Sequence, residues 1–248
     1  MKILLSNDDG VDAAGLRALV EVFCKEHSVC VVAPDRQQSA VSKALTLYSP
    51  LRATRYPFPD CPGVQAFAVC GTPVDCVRLG LGNLVTRPDV VISGINIGAN
   101  LGTDTLYSGT CAAAQEAALR GFAAFAISIT SFKPMHLGTA AQVAARMLPW
   151  VLENPLPFGA YYNINVPDLP LSEICGVRPA RLGIVEYREA YEERVDMIDR
   201  TYYWAPREVV TREEEQDTDA YLVREGFVTV TALSYDSAVK CDLGEITF

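Results

Sequence analysis

Two adjacent carboxylates, Asp8 and Asp9, follow the apolar run 2–5 and precede Gly10. Like charges at the end of a buried strand repel each other, so one carboxylate would be driven towards protonation unless a cation shares the site. Both can reach one ion only if the backbone leaves the strand there, which Gly10 permits. Carboxylate oxygens suit Mg²⁺, Mn²⁺ or Ca²⁺. An isolated Asp-Asp-Gly is equally typical of a turn with a helix cap, so other residues must decide.

Further polar residues follow later apolar runs. The loop 33–42 carries the hydroxyls of Ser39 and Ser42, and the segment 92–102 combines three glycines with Asn96 and Asn100. Glycine lets a backbone approach a ligand closely, and asparagine offers either a neutral carbonyl ligand or an amide donor. An ordinary helix cap is the alternative for either serine.

A hydroxyl-rich turn containing Ser108, Gly109 and Thr110 opens an alanine-rich helix. The free amides and positive dipole end of such a helix suit a phosphate oxygen, although Ser108 or Thr110 could also be a plain N-cap. Together these residues offer two carboxylates, a hydroxyl and an amide carbonyl to a cation that faces a helix amino end. The pattern indicates metal-assisted cleavage of a phosphate ester. We expect a water molecule oriented by Asp8 or Asp9 to attack phosphorus, with attack by an aspartate carboxylate as the alternative.

Short apolar runs alternate with longer helix-like stretches over the first two thirds of the chain. This alternation is typical of an α/β fold with a mainly parallel sheet covered by helices on both faces, where ligands bind beyond the carboxyl ends of the strands. The predicted strands lie near 2–6, 29–33, 65–69, 89–93, 124–129 and 161–166, and the predicted helices near 13–26, 74–82, 110–120 and 138–152.

The pattern changes after about residue 170. We predict a catalytic core over 1–170 and a C-terminal extension over 171–248, within one domain overall. The aromatic-rich stretch 186–204 favours an arm that packs on another subunit. The charged run 212–219 predicts a solvated face or the start of a helix that reaches Arg224, and 227–233 alternates as a strand does.

Composition excludes several classes of protein. With 21 basic and 30 acidic residues the 248-residue chain carries a net charge of −9, which argues against binding a nucleic-acid polymer. The eight cysteines form no Cys-x-x-Cys pair, which favours a reducing compartment. Neither a signal peptide nor a membrane-spanning stretch is indicated, so we expect a cytoplasmic protein with no membrane partner.

Five motifs occur in order over residues 1–130, and together they resemble the SurE family of survival-protein nucleotidases. The tail adds Tyr202-Tyr203-Trp204, Thr218-Asp219 and the 227–233 strand, so the resemblance spans nearly the whole chain. The five motifs are Asn7-Asp8-Asp9-Gly10, Ala33-Pro34-Asp35-Arg36 with Ser39, Gly71-Thr72-Pro73 with Asp75-Cys76-Val77, Ser93-Gly94-Ile95-Asn96 with Gly98 and Asn100, and Tyr107-Ser108-Gly109-Thr110.

The resemblance implies a Rossmann-like fold and hydrolysis of nucleoside 5′- and 3′-monophosphates, with short-chain polyphosphate as a further substrate. It implies one Mn²⁺ or Mg²⁺ ion per subunit and a homodimer or homotetramer built through an exchanged C-terminal arm. When the motifs are matched position by position with the family, the resemblance implies that Asp8 and Asp9 are catalytic residues. The implied metal ligands are Asp8, Asp9, Ser39 and Asn96, and the implied substrate contacts are Asn96, Asn100, Ser108, Gly109 and Thr110.

Two rival functions must be weighed against the same sequence. Cys30 to Arg36 and Cys175 to Arg181 both satisfy Cys-x₅-Arg, the spacing of cysteine phosphatases, although neither has the glycine-rich cradle that such an enzyme needs. A non-catalytic nucleotide sensor could use the same pocket as an enzyme. A dinucleotide dehydrogenase is not indicated, because no Gly-x-Gly-x-x-Gly follows the first strand.

Overall fold

The computed structural model describes residues 1–187, 190–205, 209–210 and 215–238. Its helices are α1 (Ala14–Phe23), α2 (Pro73–Leu79), α3 (Gly109–Leu119), α4 (Leu137–Glu153) and α5 (Asp219–Arg224). Its strands are β1 (Lys2–Ser6), β2 (Ser28–Pro34), β3 (Ala53–Arg55), β4 (Gln65–Val69), β5 (Val90–Ile97), β6 (Ala123–Ile129), β7 (Ala160–Val166), β8 (Val177–Pro179), β9 (Glu186–Tyr187), β10 (Glu192–Val195), β11 (Thr201–Trp204), β12 (Val209–Val210) and β13 (Val228–Ser234).

The main sheet has nine strands in the order β3-β4-β2-β1-β5-β6-β7-β13-β8. The six strands from β4 to β7 are parallel to one another. The edge strand β3 and the inserted strand β13 each run antiparallel to a neighbour in this set. The α/β class and the mainly parallel sheet predicted from the alternation are therefore confirmed.

The sheet is covered on both faces because its central strands are apolar on both sides. Ile3 and Leu5 of β1 belong to the buried cluster under α1 and α4, whereas Leu4 belongs to the cluster under α2 and α3. Each fully buried side chain of this size contributes about 1.5–3 kcal/mol to the free energy of unfolding. All six parallel strands thus end at one edge, where their loops meet.

Strand β5 is longer than predicted. We expected a strand near 89–93 followed by a glycine-asparagine loop, but the strand continues to Ile97. Its pairing with β6 shifts register between Ser93 and Asn96, and Asn96 then pairs with Ser128. The short strands β3 and β8 were not predicted, because three exposed residues give no periodic signal.

The C-terminal part contributes to the same sheet. Strand β13, predicted near 227–233, lies between β7 and β8, and α5 ends at Arg224 as predicted. Strands β10 and β11 form a separate antiparallel hairpin with exposed residues throughout. Residues 188–189 of the predicted arm, 212–214 of the charged run and Cys241 lie outside the described residues. The division at residue 170 stays a prediction.

One pair of cysteines departs from expectation. Cys24, at the carboxyl end of α1, forms a disulfide with Cys61, with their Cα atoms 6.4 Å apart. A disulfide is not what the predicted reducing compartment implies, and no short spacing signals a pair separated by 37 residues. Cys76 and Cys111 are free thiols, and both are buried in the way that small apolar residues are.

Within the described ranges, no helix is both long enough and apolar enough to cross a membrane.

Candidate active site

A tight turn after β1 brings both adjacent carboxylates to the sheet edge. The buried Asn7 side chain closes this turn, because its Nδ2 donates to the Gly10 carbonyl at 2.9 Å and its Oδ1 accepts from the Gly10 amide at 3.2 Å. Gly10 has φ of +104° and lies against the Arg36 backbone, where a Cβ would come within 3.3 Å. Asp8 and Asp9 therefore line the same cleft, which has a volume of about 460 Å³.

Asp8 is held by the amino end of α3. Its exposed fraction is 5%, and its carboxylate accepts from both the hydroxyl and the backbone amide of Thr110, the latter at 3.1 Å. Gly109 makes this approach possible, since a Cβ there would lie 2.8 Å from the Cβ of Asp8. Burial raises the pKa of Asp8 to about 6, the Thr110 hydrogen bond lowers it in part, and the negative charge of Asp9 raises it further.

Asp9 is half-buried and faces a different set of donors. Its carboxylate accepts from the Ile97 amide at 3.2 Å and from Nε2 of Gln37 at 3.3 Å. Burial raises the pKa of Asp9, and these two hydrogen bonds oppose the shift. Strands β1 and β5 are thereby joined through a side chain at their carboxyl ends.

The amide group of Asn96 is oriented by its own loop. Its Nδ2 donates to the Gly98 carbonyl at 2.7 Å, which leaves its Oδ1 facing the Thr110 hydroxyl at 3.3 Å. The Asn96 carbonyl oxygen thus lies on the same side as the Asp8 carboxylate. An oxygen in this position can serve as a metal ligand, as a nitrogen could not.

Ser39 approaches the cleft from a loop that is fastened at both ends. The Gln38 amide donates to the Asp8 carbonyl at 2.7 Å, and the Ser42 hydroxyl donates to the Leu106 carbonyl at 2.7 Å. Farther along, the buried carboxylate of Asp75 accepts from the amide and hydroxyl of Thr46. Ser39 itself is exposed and lines the cleft.

The donor set fits a hard divalent cation. Two carboxylates, an amide oxygen and a hydroxyl from Asp8, Asp9, Asn96 and Ser39 line one cleft. The raised pKa of both carboxyls shows that the protein alone compensates their charges incompletely, which a cation would correct. Among the described residues, no group of three or more His, Cys, Asp or Glu side chains is placed to hold a metal ion. Neutral oxygens would therefore supply the other ligands.

The predicted phosphate-side residues lie around the same cleft, but the amino end of α3 is partly occupied. The Ser108 hydroxyl caps the helix by accepting from the Cys111 amide at 3.1 Å, and the Thr110 amide points to Asp8. Asn100 and Ser108 line the cleft, whereas Gly109 and Thr110 lie directly behind Asp8. Their role in binding phosphate stays a prediction.

Two buried asparagines on β7 hold the glycine-asparagine loop. Oδ1 of Asn165 accepts from the Asn100 amide at 2.9 Å, and Nδ2 of Asn163 and of Asn165 donate to the Asn100 carbonyl at 2.8 and 3.0 Å. Nδ2 of Asn100 donates in turn to the Ser128 hydroxyl. Sequence analysis missed this network, although two asparagines alternating within a buried apolar strand are a usable signal of a polar partner.

Asp219 is a further residue whose role was not recognised from the sequence. Its fully buried carboxylate accepts from the amides of Gly102, Gly183 and Ala220 at 2.8–2.9 Å. Burial raises the pKa of Asp219, and these amides oppose the shift. The residue thus ties the segments on either side of the cleft rim to the start of α5, and only its place in the Thr218-Asp219 motif marked it in the sequence.

The chain is similar to known proteins over nearly its whole length. Residues 3–189 match the family model described as survival protein SurE. The 5′-nucleotidase SurE of Gloeobacter violaceus is 44% identical over 246 residues, covering 98% of this chain and 94% of that protein. The 5′-nucleotidase SurE of Synechococcus sp. (strain JA-3-3Ab) is 47% identical over 241 residues, covering 95% and 92% respectively. The crystal structure of SurE from Aquifex aeolicus superposes with a TM-score of 0.82 at 36% identity, covering 96% of this chain and 95% of that one.

Proposed function

Because this chain belongs to the SurE family of survival proteins, we propose that it is a metal-dependent 5′-nucleotidase, which hydrolyses nucleoside 5′-monophosphates to nucleoside and phosphate. The observation that carries the proposal is the pairing of Asp8 and Asp9 in one cleft with the Asn96 carbonyl oxygen. The proposal extends to nucleoside 3′-monophosphates and short-chain polyphosphate, which present a similar terminal phosphoryl group.

The ligand roles follow from the oxygen atoms that face the cleft. Asp8, Asp9, Ser39 and Asn96 would hold one divalent ion per subunit, Mn²⁺ or Mg²⁺. Such an ion, when bound, supplies positive charge to the phosphoryl oxygens and makes a water molecule more acidic. The proposed contacts to substrate are Asn96, Asn100, Ser108, Gly109 and Thr110.

The carboxylates also act on the attacking group. Asp8 or Asp9 accepts a hydrogen bond from a water molecule and orients it towards phosphorus, while the amino end of α3 favours the negative charge of the site. Attack by a carboxylate itself is the alternative. Mass spectrometry of acid-quenched enzyme separates the two routes, because only carboxylate attack leaves an acyl phosphate on Asp8 or Asp9.

The structure gives no support to a cysteine phosphatase. Cys30 lies within β2, where an extended backbone cannot form a cradle of amides, and burial raises the pKa of its thiol. Cys175 is exposed, and neither cysteine lines the cleft. A nucleotide sensor remains the rival to test, since it would need the same cleft.

We also propose that the protein forms a homodimer or homotetramer through the hairpin of β10 and β11. A two-stranded hairpin is marginally stable by itself, and this one exposes Tyr203, Trp204 and Met197. A second subunit would cover these apolar side chains.

We propose a cytoplasmic location. Exposed Cys70 and Cys175 are unpaired among the described residues, whereas exposed thiols of proteins matured in an oxidising compartment tend to be paired. The Cys24–Cys61 disulfide argues instead for an oxidising compartment. Alkylation of the protein in freshly lysed cells, with and without reduction, therefore tests the proposed location.

Phosphate release from AMP and GMP tests the main proposal. We expect release that a chelator abolishes, that Mn²⁺ or Mg²⁺ restores and that a thiol alkylator leaves intact. Asp9→Asn should remove most of it. Tight binding of AMP without phosphate release, in the presence of added metal and across a panel of mononucleotides, would establish the sensor instead.

A further inference from the structure

Three aromatic side chains stand around the outer part of the cleft that holds Asp8 and Asp9. Tyr107, Phe132 and Tyr187 all line it, and their exposed fractions are 63%, 86% and 42%. Large apolar side chains clustered at the mouth of a small-molecule cleft call for an explanation, because packing in the core does not account for them.

The Phe132 ring lies directly on the backbone of the glycine-asparagine loop. A Cβ on Gly98 would come within 2.6 Å of the ring, so only glycine allows this contact. The carbonyl of the same Gly98 orients the amide of Asn96, and its own amide donates to the Ile129 carbonyl at 3.0 Å. The phenyl ring thus contacts Gly98, whose backbone is held by these hydrogen bonds, beside the proposed metal ligand Asn96.

The two tyrosines are fixed from other directions. The Tyr187 hydroxyl donates to Asp104 at 2.7 Å, and the Thr103 hydroxyl donates to the Val185 carbonyl at 2.8 Å, which joins the two segments. Tyr107 immediately precedes the helix cap Ser108, and its carbonyl accepts from the Ser42 amide at 2.9 Å. The three rings are therefore carried by different segments that the fold brings to one rim.

We infer that Phe132, with Tyr107 and Tyr187, forms the stacking surface for the nucleobase, and that Phe132 determines the preference for nucleotides over other phosphate monoesters. The inference rests on the proposed function. A phosphate held near Asp8 and Asn96 leaves the other end of a nucleotide at this rim. Stacking on aromatic rings tolerates every base, because each base has a π face, so the surface selects for a base without naming one.

A comparison of AMP with ribose 5-phosphate tests this role. The two substrates share the sugar and the phosphate, and only AMP carries a base. For the wild-type protein we expect a higher kcat/KM with AMP. Phe132→Ala should lower kcat/KM for AMP by about 5- to 150-fold, the range that one stacked base is worth, mainly through KM. Its kcat/KM for ribose 5-phosphate should change by less than about twofold, and Phe132→Trp should restore the preference for AMP.

Phe158→Ala is the matched control. Phe158 is 66% exposed and packs edge-on against Tyr235, and it does not line this cleft. Its replacement should leave kcat/KM unchanged for both AMP and ribose 5-phosphate.

The possible failures are distinguishable. Equal losses for both substrates in Phe132→Ala, or a wild-type protein that does not prefer AMP, would overturn the stacking role and leave the phosphatase proposal standing. Absence of turnover with either substrate would overturn the proposed function. In that case, calorimetric titration of AMP into wild type and Phe132→Ala decides the stacking role, and equal affinities would reject it.

Discussion

A carboxylate that has lost its water keeps its charge only if the protein replaces the lost hydrogen bonds. For Asp8 the replacement is incomplete, because Thr110 supplies two donors while Asp9 adds negative charge nearby. In the absence of a cation the folded protein therefore binds a proton at Asp8 more tightly than the unfolded chain does, with a pKa of about 6 against an ordinary value of 3.8.

This difference predicts how stability depends on pH in the presence of a chelator. Between pH 4 and pH 7 the folded state must give up a proton that the unfolded chain has already lost, so the free energy of unfolding should fall as pH rises. The contribution of Asp8 is about 3 kcal/mol. Asp8→Asn should flatten the profile and make the metal-free protein more stable than wild type near pH 7. Urea unfolding at several pH values measures this.

Asp60→Asn, at an exposed carboxylate, is the control and should keep the wild-type profile. A profile for Asp8→Asn as steep as that of wild type would contradict the assignment. Added Mn²⁺ should stabilise wild type more than Asp8→Asn, since binding to the folded state alone stabilises it.

Thr110→Val gives a second test at the residue scale. Because Thr110 is a proposed substrate contact, the substitution should raise KM, and in the structure the Thr110 hydroxyl also donates to Asp8. Its loss should raise the pKa of Asp8 further, so the acidic limb of the pH profile of kcat/KM should move to higher pH. Thr110→Ser keeps the hydroxyl and should restore the wild-type profile. An unchanged limb in Thr110→Val would show that the hydroxyl has no influence on the ionisation of the site.

Asp8, Asp9 and Asn96 were grouped from the sequence because each follows a predicted strand and carries an oxygen-bearing side chain, and Thr110 was added because it opens a helix. The alternating asparagines could have indicated that Asn163 needs a polar partner, but not that this partner is Asn100, 63 residues away. Such partners are set by which strands become neighbours, and local patterns of residues carry no information about that.

At the scale of elements, β7 acts as a support for the loop after β5. Asn165→Leu would leave the Asn100 amide without its partner and weaken the bonding of the Asn100 carbonyl. A buried group left unsatisfied costs about 1–3 kcal/mol, so we expect a loss of stability of at least this size. Amide hydrogen exchange around Asn100 should become faster, and KM should rise.

Asn154→Ala provides a comparison at the end of α4, where the side chain is exposed and donates to the Trp150 carbonyl. It should leave exchange around Asn100 and KM as they are. Normal exchange in Asn165→Leu would show that the loop is held by other contacts.

The sequence predicts the bounds of an element well where a long periodic run exists, and poorly where pairing with another strand determines where the element ends. Helices α1, α3 and α4 were each predicted within about three residues of their observed ends. Strand β5 was predicted to stop near residue 93 because glycine and asparagine usually mark a loop. Its continuation to Ile97 depends on β6, which pairs with it beyond the register shift.

At the scale of the whole molecule, the hairpin of β10 and β11 is the feature that a single subunit explains least. Replacing Tyr203 and Trp204 by serine should lower the mass of the assembly measured by light scattering. The substitutions remove the exposed rings that a second subunit would cover. Tyr48→Ser, at an exposed tyrosine outside the hairpin, should leave the mass unchanged. A wild-type protein that is monomeric at high concentration would refute the proposed assembly.

The parallel part of the sheet was predictable because strands alternate with helices, which restricts the connections to right-handed crossovers. The insertion of β13 between β7 and β8 was not, since an alternating run identifies a strand but not its neighbours. The position of the C-terminal strands in the sheet is therefore known only from the structure.

The contacts of Asp219 have a consequence for protein synthesis. A growing polypeptide emerges from the ribosome with its amino-terminal strands first, and these can assemble early. The amide of Gly102 has to wait for Asp219, which is translated 117 residues later. Catalytic turnover should thus begin only after Asp219 has been translated, and a message truncated shortly before that codon should yield an inert product.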